Sequence, residues 1–165
     1  MHAYLLLDLS ASMSGAALES LKSGVHLLCA TFISRSKKPV RISLIGYEST
    51  PREIFPLTDV HLFETHFDKL RLDPGGSSGL GGALRFVANR MPDHDPTLVY
   101  IFTDGEPTDD WETELSLLRF RVKKVFALMC GLAPDKETLA PAVDGVFRVF
   151  DALPDMLFET FRGFV

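Results

Sequence analysis

The stretch Tyr4-Leu-Leu-Leu-Asp8-Leu-Ser10-Ala-Ser12 joins an apolar strand to an oxygen-rich loop, and that junction decides the fold. Residues 3–8 form a continuous apolar run, which suits a strand buried on both faces, as in a parallel sheet covered by helices. Where the run stops, one carboxylate and two hydroxyls stand at alternate positions. An extended segment sends alternate side chains to one side, so oxygen donors at i, i+2 and i+4 converge where the strand opens into a loop. Such a cradle suits a hard divalent cation. Magnesium takes oxygen ligands in near-octahedral array and keeps several waters, so a cradle of few charges suits it better than calcium. The rest of the chain must supply the missing ligands.

Outward from this junction, strands and helices alternate. Leu18, Leu21, Val25, Leu28 and Phe32 recur at three- and four-residue intervals, which predicts a helix from Ser14 to the polar turn at 34–39. Residues 40–47 read as the second strand and 53–57 as a short third. Pro56 cannot donate to a ladder, which assigns that third strand to an edge, hairpinned to the second. A helix over 60–72 is expected to bury Leu62, Phe63, Phe67 and Leu70. The turn-rich Asp73-Pro-Gly-Gly-Ser-Ser-Gly79 feeds a helix carrying Leu80, Leu84 and Val87. Residues 97–103 form the fourth strand and end in Asp104-Gly105. Asp109, with Glu112 three residues on, predicts an N-cap for a helix whose inner face is Leu115, Leu118 and Val122. A fifth strand at 124–130, a short helix at 135–143, a sixth strand at 146–150 and an amphipathic helix at 154–164 complete the chain.

Alternation of this kind specifies an α/β fold: a doubly wound, Rossmann-like, mostly parallel six-stranded sheet with one antiparallel edge strand and helices on both faces. The 165 residues, 46% of them apolar, fit a single domain over 1–165. In the strand order 3-2-1-4-5-6, strands one and four are neighbours at the switch point, where a crevice opens at their carboxyl ends. That rule gathers Asp8, Ser10, Ser12, Ser78 and Asp104 around one point from three distant segments.

These residues resemble the metal-ion-dependent adhesion site of the von Willebrand factor type A family. The segments that carry the likeness are Asp8-Leu-Ser10-Ala-Ser12, Gly75-Gly-Ser-Ser-Gly-Leu-Gly-Gly-Ala-Leu84 and Phe102-Thr-Asp104-Gly-Glu-Pro-Thr-Asp-Asp-Trp111. The last is similar to the bacterial tellurium-resistance, TerY-like branch. Ala11 stands where the family has Gly, which matters if that position needs positive φ. Ser78 stands where the family has Thr, with Ser77 the alternative if the register slips by one. The resemblance implies Mg2+ or Mn2+ held directly by Ser10, Ser12 and Ser78, and through water by Asp8 and Asp104. Two carboxylates leave a dication with net positive charge, and the open position would accept a protein partner's Asp or Glu carboxylate. Met13, Glu106 and Asp109 would line the rim. The implied role is a non-enzymatic, metal-dependent protein-binding domain in a tellurite and stress-response module with phosphatase and kinase partners.

Other functions fare less well on the same residues. Aspartyl phosphoryl transfer of the haloacid-dehalogenase type also places an Asp after a buried first strand. It wants a second acid two residues on, where this chain has Ser10, whose hydroxyl has no suitable pKa for proton transfer. A metal-free structural scaffold is a third reading. A formal charge of -5 with no basic stripe argues against nucleic acid. No apolar run approaches the roughly 20 residues that span a bilayer, and no leader pattern opens the sequence, so a cytoplasmic protein without membrane contact is expected. Cys29 and Cys130 lack CxxC spacing and are expected to be buried, the histidines are scattered without ligand spacing, and Trp111 should anchor its helix.

Overall fold

The computed structural model describes every residue except Glu106. Its strands are β1 (His2–Asp8), β2 (Arg41–Tyr47), β3 (Pro51–Asp59), β4 (Thr97–Thr103), β5 (Lys124–Met129) and β6 (Gly145–Arg148). They form one six-stranded sheet in the order β3-β2-β1-β4-β5-β6, with β3 antiparallel to β2 and every other pair parallel. The helices are α1 (Ala16–Arg35), α2 (Val60–Phe67), α3 (Leu80–Arg90), α4 (Trp111–Leu118) and α5 (Pro154–Phe161). The strand order and the single antiparallel edge match the sequence expectation.

The apolar run of β1 explains the layering. All seven of its residues are buried, and alternate side chains serve opposite faces. Leu5 and Leu7 belong to a core with Leu21, Val25, Leu28 and Phe32 of α1 and Leu157 and Phe161 of α5. Tyr4 and Leu6 belong to a second core with Leu84 and Val87 of α3 and Leu115 and Leu118 of α4. Each large apolar side chain so buried contributes about 1.5–3 kcal/mol toward holding the helices on the sheet. Pro56 falls where the β2–β3 register shifts, between the Ile42–Thr58 and Leu44–Phe55 pairs, so its missing donor interrupts no regular rung.

Several boundaries depart from the sequence expectation. The helix expected over 60–72 ends at Phe67, after which Lys69 N and Leu70 N close tight turns on His66 O and Phe67 O, and Leu72 is buried from a loop. Leu62, expected on the buried stripe, is exposed. The helix expected over 135–143 is a loop with one 3-10 turn at Ala140–Ala142. There the Asp135 carboxylate accepts from Glu137 N at 3.0 Å and Thr138 Oγ1 at 2.8 Å, an Asx turn that competes with helix formation. Val122 is buried, but beyond the end of α4, and the chain after β6 turns into a 3-10 segment at Val149–Asp151. Both cysteines are buried, and burial pushes the Cys130 thiol up to about 12. Among the described residues no helix is long and apolar enough to cross a membrane.

Candidate metal centre

Three adjacent strands bring their carboxyl ends together. Tyr47 closes β2 opposite Asp8 of β1, and the β1–β4 register, with Leu7 opposite Phe102, runs Asp8 toward Thr103. Alternation from Ile45, Leu6 and Ile101 puts Tyr47, Asp8 and Thr103 on the face covered by α3 and α4. Asp8 is only 1% exposed. Its Oδ1 accepts from Ser10 N at 2.9 Å, and its Oδ2 accepts from Thr103 Oγ1 at 2.6 Å and Ser78 Oγ at 3.1 Å. Nearer the surface, Ser12 Oγ donates to Asp104 Oδ1 at 3.0 Å and lies 3.3 Å from Ser10 Oγ. Asp8, Ser10, Ser12, Ser78 and Asp104 therefore meet at one place. Ser78 is the serine that turns in to Asp8, whereas Ser77 is exposed.

The loops that carry these groups are locked to one another. Gly75 N donates to Leu9 O at 2.8 Å and Ala11 N to Gly76 O at 3.0 Å, so the glycine-rich loop is zipped to the segment leaving β1. Thr108 grips the Ser78 carbonyl twice, through its N–H at 2.8 Å and its hydroxyl at 3.1 Å. Ala11 is tolerated because its φ is not positive: among the described residues positive φ occurs only at glycines.

Of the residues expected at the rim, Met13 sits elsewhere, Asp109 is exposed beside the loop that carries Ser78, and Glu106 lies outside the described residues. Met13 is fully buried in the core beneath α1. Asp109 does not cap α4. Its carboxylate reaches across to α3, accepting from Gly81 N at 2.9 Å and Gly82 N at 3.1 Å, while Asp110 takes the N-cap position of α4. The reason is that α3 begins after Gly79, which has no side chain to satisfy its first N–H groups. Removing this cap in Asp109→Ala is expected to cost about 1 kcal/mol, read as a lower urea midpoint with an unchanged m-value.

Thr103 and Tyr47 escaped the sequence reading. Thr103 was signalled only as a hydroxyl ending an apolar strand immediately before Asp104. Tyr47 is 1% exposed, and its Oη has no hydrogen-bond partner among the described residues. Burial foremost, with the Asp8 charge adding to it, pushes the Tyr47 phenol well up, so it keeps its proton.

The electrostatics are unbalanced toward negative charge. Neither Asp8 nor Asp104 forms an ion pair among the described residues. Burial pushes the Asp104 carboxyl up; the Ser12 hydrogen bond opposes this and the Asp8 charge reinforces it. No group of three or more His, Cys, Asp or Glu side chains gathers as a metal cluster among the described residues, so any cation held here would meet mainly hydroxyl oxygen. Such donors match hard cations.

The family profile of the von Willebrand factor type A domain matches residues 3–143. No curated protein matches the sequence significantly. Among solved structures, proximal thread matrix protein 1 of the mussel byssus superposes with TM-score 0.76 at 18% identity, over 96% of this chain and 44% of its own. That mussel protein is also known with a zinc-occupied MIDAS motif, matching at TM-score 0.73 and 16% identity, over 96% of this chain and 44% of its own. An aerotolerance-related membrane protein from Bacteroides fragilis superposes with TM-score 0.72 at 15% identity, over 99% of this chain and 98% of its own. Manganese-loaded TRAP protein of Plasmodium vivax does so with TM-score 0.68 at 19% identity, over 86% of this chain and 61% of its own. This chain thus spans less than half of the mussel protein and nearly all of the Bacteroides one.

Proposed function

Since the chain belongs to the von Willebrand factor type A family, we propose that it is a metal-dependent protein-binding domain that captures a partner's Asp or Glu carboxylate. Ser10, Ser12 and Ser78 would hold Mg2+ or Mn2+ directly, with Asp8 and Asp104 behind them through water. The observation that carries this reading is the direction of two hydrogen bonds. Ser12 and Ser78 each donate their hydroxyl proton to a carboxylate, Asp104 and Asp8 respectively, which leaves their oxygen lone pairs free for a cation. The two carboxylates have no protein cation among the described residues, and a dication would offset both. Bound there, it would supply an exchangeable coordination position attractive to an anionic oxygen. The zinc-occupied MIDAS motif named for the mussel protein and the manganese named for the Plasmodium one support a divalent ion for this chain.

Ser10, standing where aspartyl phosphoryl transfer would need an acid, supports binding without catalysis. Two cores on one sheet support reading residues 1–165 as a single domain. The run from Thr103 to Trp111 supports the finer placement in the TerY-like branch, hence a cytoplasmic tellurite and stress-response module with phosphatase and kinase partners.

The test pairs metal titration with partner capture. Native protein should bind Mg2+ or Mn2+ in calorimetry and retain a partner that a chelator releases. Asp104→Ala should weaken metal binding by about 10- to 100-fold while keeping a native circular dichroism spectrum. Capture that a chelator and a folded Asp104→Ala variant both leave unchanged overturns the reading.

A further inference from the structure

The loop that carries Ser78 has few means of fixing its own shape. Gly76 before the serine, at φ 73°, and Gly79 after it give the backbone wide conformational freedom. Ser78 is nonetheless only 5% exposed, and its hydroxyl donates to Asp8 at 3.1 Å, so its backbone is held from outside. Much of the hold comes from the loop after β4. Thr108 donates to the Ser78 carbonyl from its N–H at 2.8 Å and from its hydroxyl at 3.1 Å. Next to it, the Asp109 carboxylate accepts from Gly81 N at 2.9 Å and Gly82 N at 3.1 Å. A Cβ at Gly81 would come 3.0 Å from both Asp109 Oδ2 and the Asp110 carbonyl oxygen, so glycine there admits the close approach. Thr108 and Asp109 belong to the same loop as Asp104. Their four bonds therefore tie the segment bearing one site carboxylate to the serine that serves the other.

We propose that Thr108 and Asp109 are positioning residues of the metal centre, which fix the Ser78 backbone so that its hydroxyl stands in place before a cation binds. The proposal rests on the metal-binding reading above. It leaves the Ser78–Asp8 bond intact, because the clamp grips only main-chain atoms of the Ser78 segment. A ligand held in advance loses little freedom on binding, whereas a loosened, glycine-flanked serine would have to be ordered by the cation, at the expense of affinity. A role confined to capping α3 would act on stability and leave the affinity of folded protein unchanged.

The experiment titrates native protein, Thr108→Val, Thr108→Ser and Asp109→Asn with MgCl2 or MnCl2 in a calorimeter, well below every melting transition. Each melting temperature is also recorded in chelator. Thr108→Val keeps the shape of the side chain at an exposed position and retains the N–H bond to Ser78, so it folds. Asp109→Asn keeps one acceptor and turns an amide N–H toward the other donor; its titration is run at about 0.5 M NaCl, which screens the simple loss of a charge. Thr108→Val and Asp109→Asn should each weaken Mg2+ binding about 3- to 10-fold, and Thr108→Ser, which restores the hydroxyl, should stay within about twofold of native. Native affinity in Thr108→Val or in Asp109→Asn, whatever the melting temperature does, overturns the positioning role. So does a Thr108→Ser variant that binds as weakly as Thr108→Val. Native protein that binds neither metal overturns the metal reading itself, an outcome the first titration tells apart.

Discussion

Gly79→Ala is expected to lower stability by about 2–3 kcal/mol, as overpacking against an unyielding neighbour does. At about 2–4 °C per kcal/mol for a chain of this size, the melting temperature should fall by about 4–12 °C. The backbone of Gly79 is not the obstacle, since φ -86° and ψ 62° are open to alanine. Space is. A Cβ there would lie 2.8 Å from Glu48 O and 3.0 Å from Ser49 O, both backbone atoms of the β2–β3 turn that cannot rotate aside. Gly79 N donates to that same Glu48 O at 2.7 Å, so the added methyl forces apart the contact that docks the loop. Ser78, one residue back, would shift with it, and metal affinity should fall alongside stability. Gly82→Ala is the control. Its Cβ would meet only Pro51 Cδ at 3.6 Å, an ordinary contact, and alanine in place of glycine favours a helix by up to about 1 kcal/mol. Urea denaturation of both variants decides the matter; equal losses would mean that the loop–turn contact is not tight.

Much of this was legible because the decisive signals are local. The apolar run of β1 needs no partner to be read as a doubly covered strand, and the switch-point rule then carries Asp8 to Asp104 across ninety-odd residues of intervening chain. What the sequence concealed depends on contacts between segments. Asp109 with Glu112 reads locally as the start of α4, yet α3, headed by glycines, has the greater need of a cap and takes the carboxylate. Residues 135–143 carry helical spacing, but Asp135 satisfies the following backbone first. Met13 belongs to a polar-looking turn and is drawn into the core because the 3-10 turn at Ala11–Met13 rotates it beneath α1. Tyr47 ends an apolar strand like any core tyrosine, and only the register with β1 reveals that it stands beside Asp8.

Asp8→Ala is expected to abolish nearly all of the stabilisation that metal confers. A site occupied at about a hundred times its dissociation constant stabilises the native state by about 2.7 kcal/mol, or about 5–10 °C here. If removing Asp8 weakens the site by about 100-fold, the same metal concentration yields about 0.4 kcal/mol, or about 1 °C. In chelator the balance differs. The substitution strands Ser10 N, Ser78 Oγ and Thr103 Oγ1, three donors now sharing one carboxylate. It also removes a buried charge that has no cationic partner among the described residues, and the desolvation so relieved offsets part of the lost hydrogen bonding. The diagnostic quantity is therefore the increment between chelator and metal, not the melting temperature in either. Scanning calorimetry on native protein and Asp8→Ala, each with chelator and with excess MgCl2, measures it. A variant that keeps the native increment would show that the cation binds elsewhere, because no arrangement of Ser10, Ser12 and Ser78 around a metal survives intact once the carboxylate orienting two of them is gone.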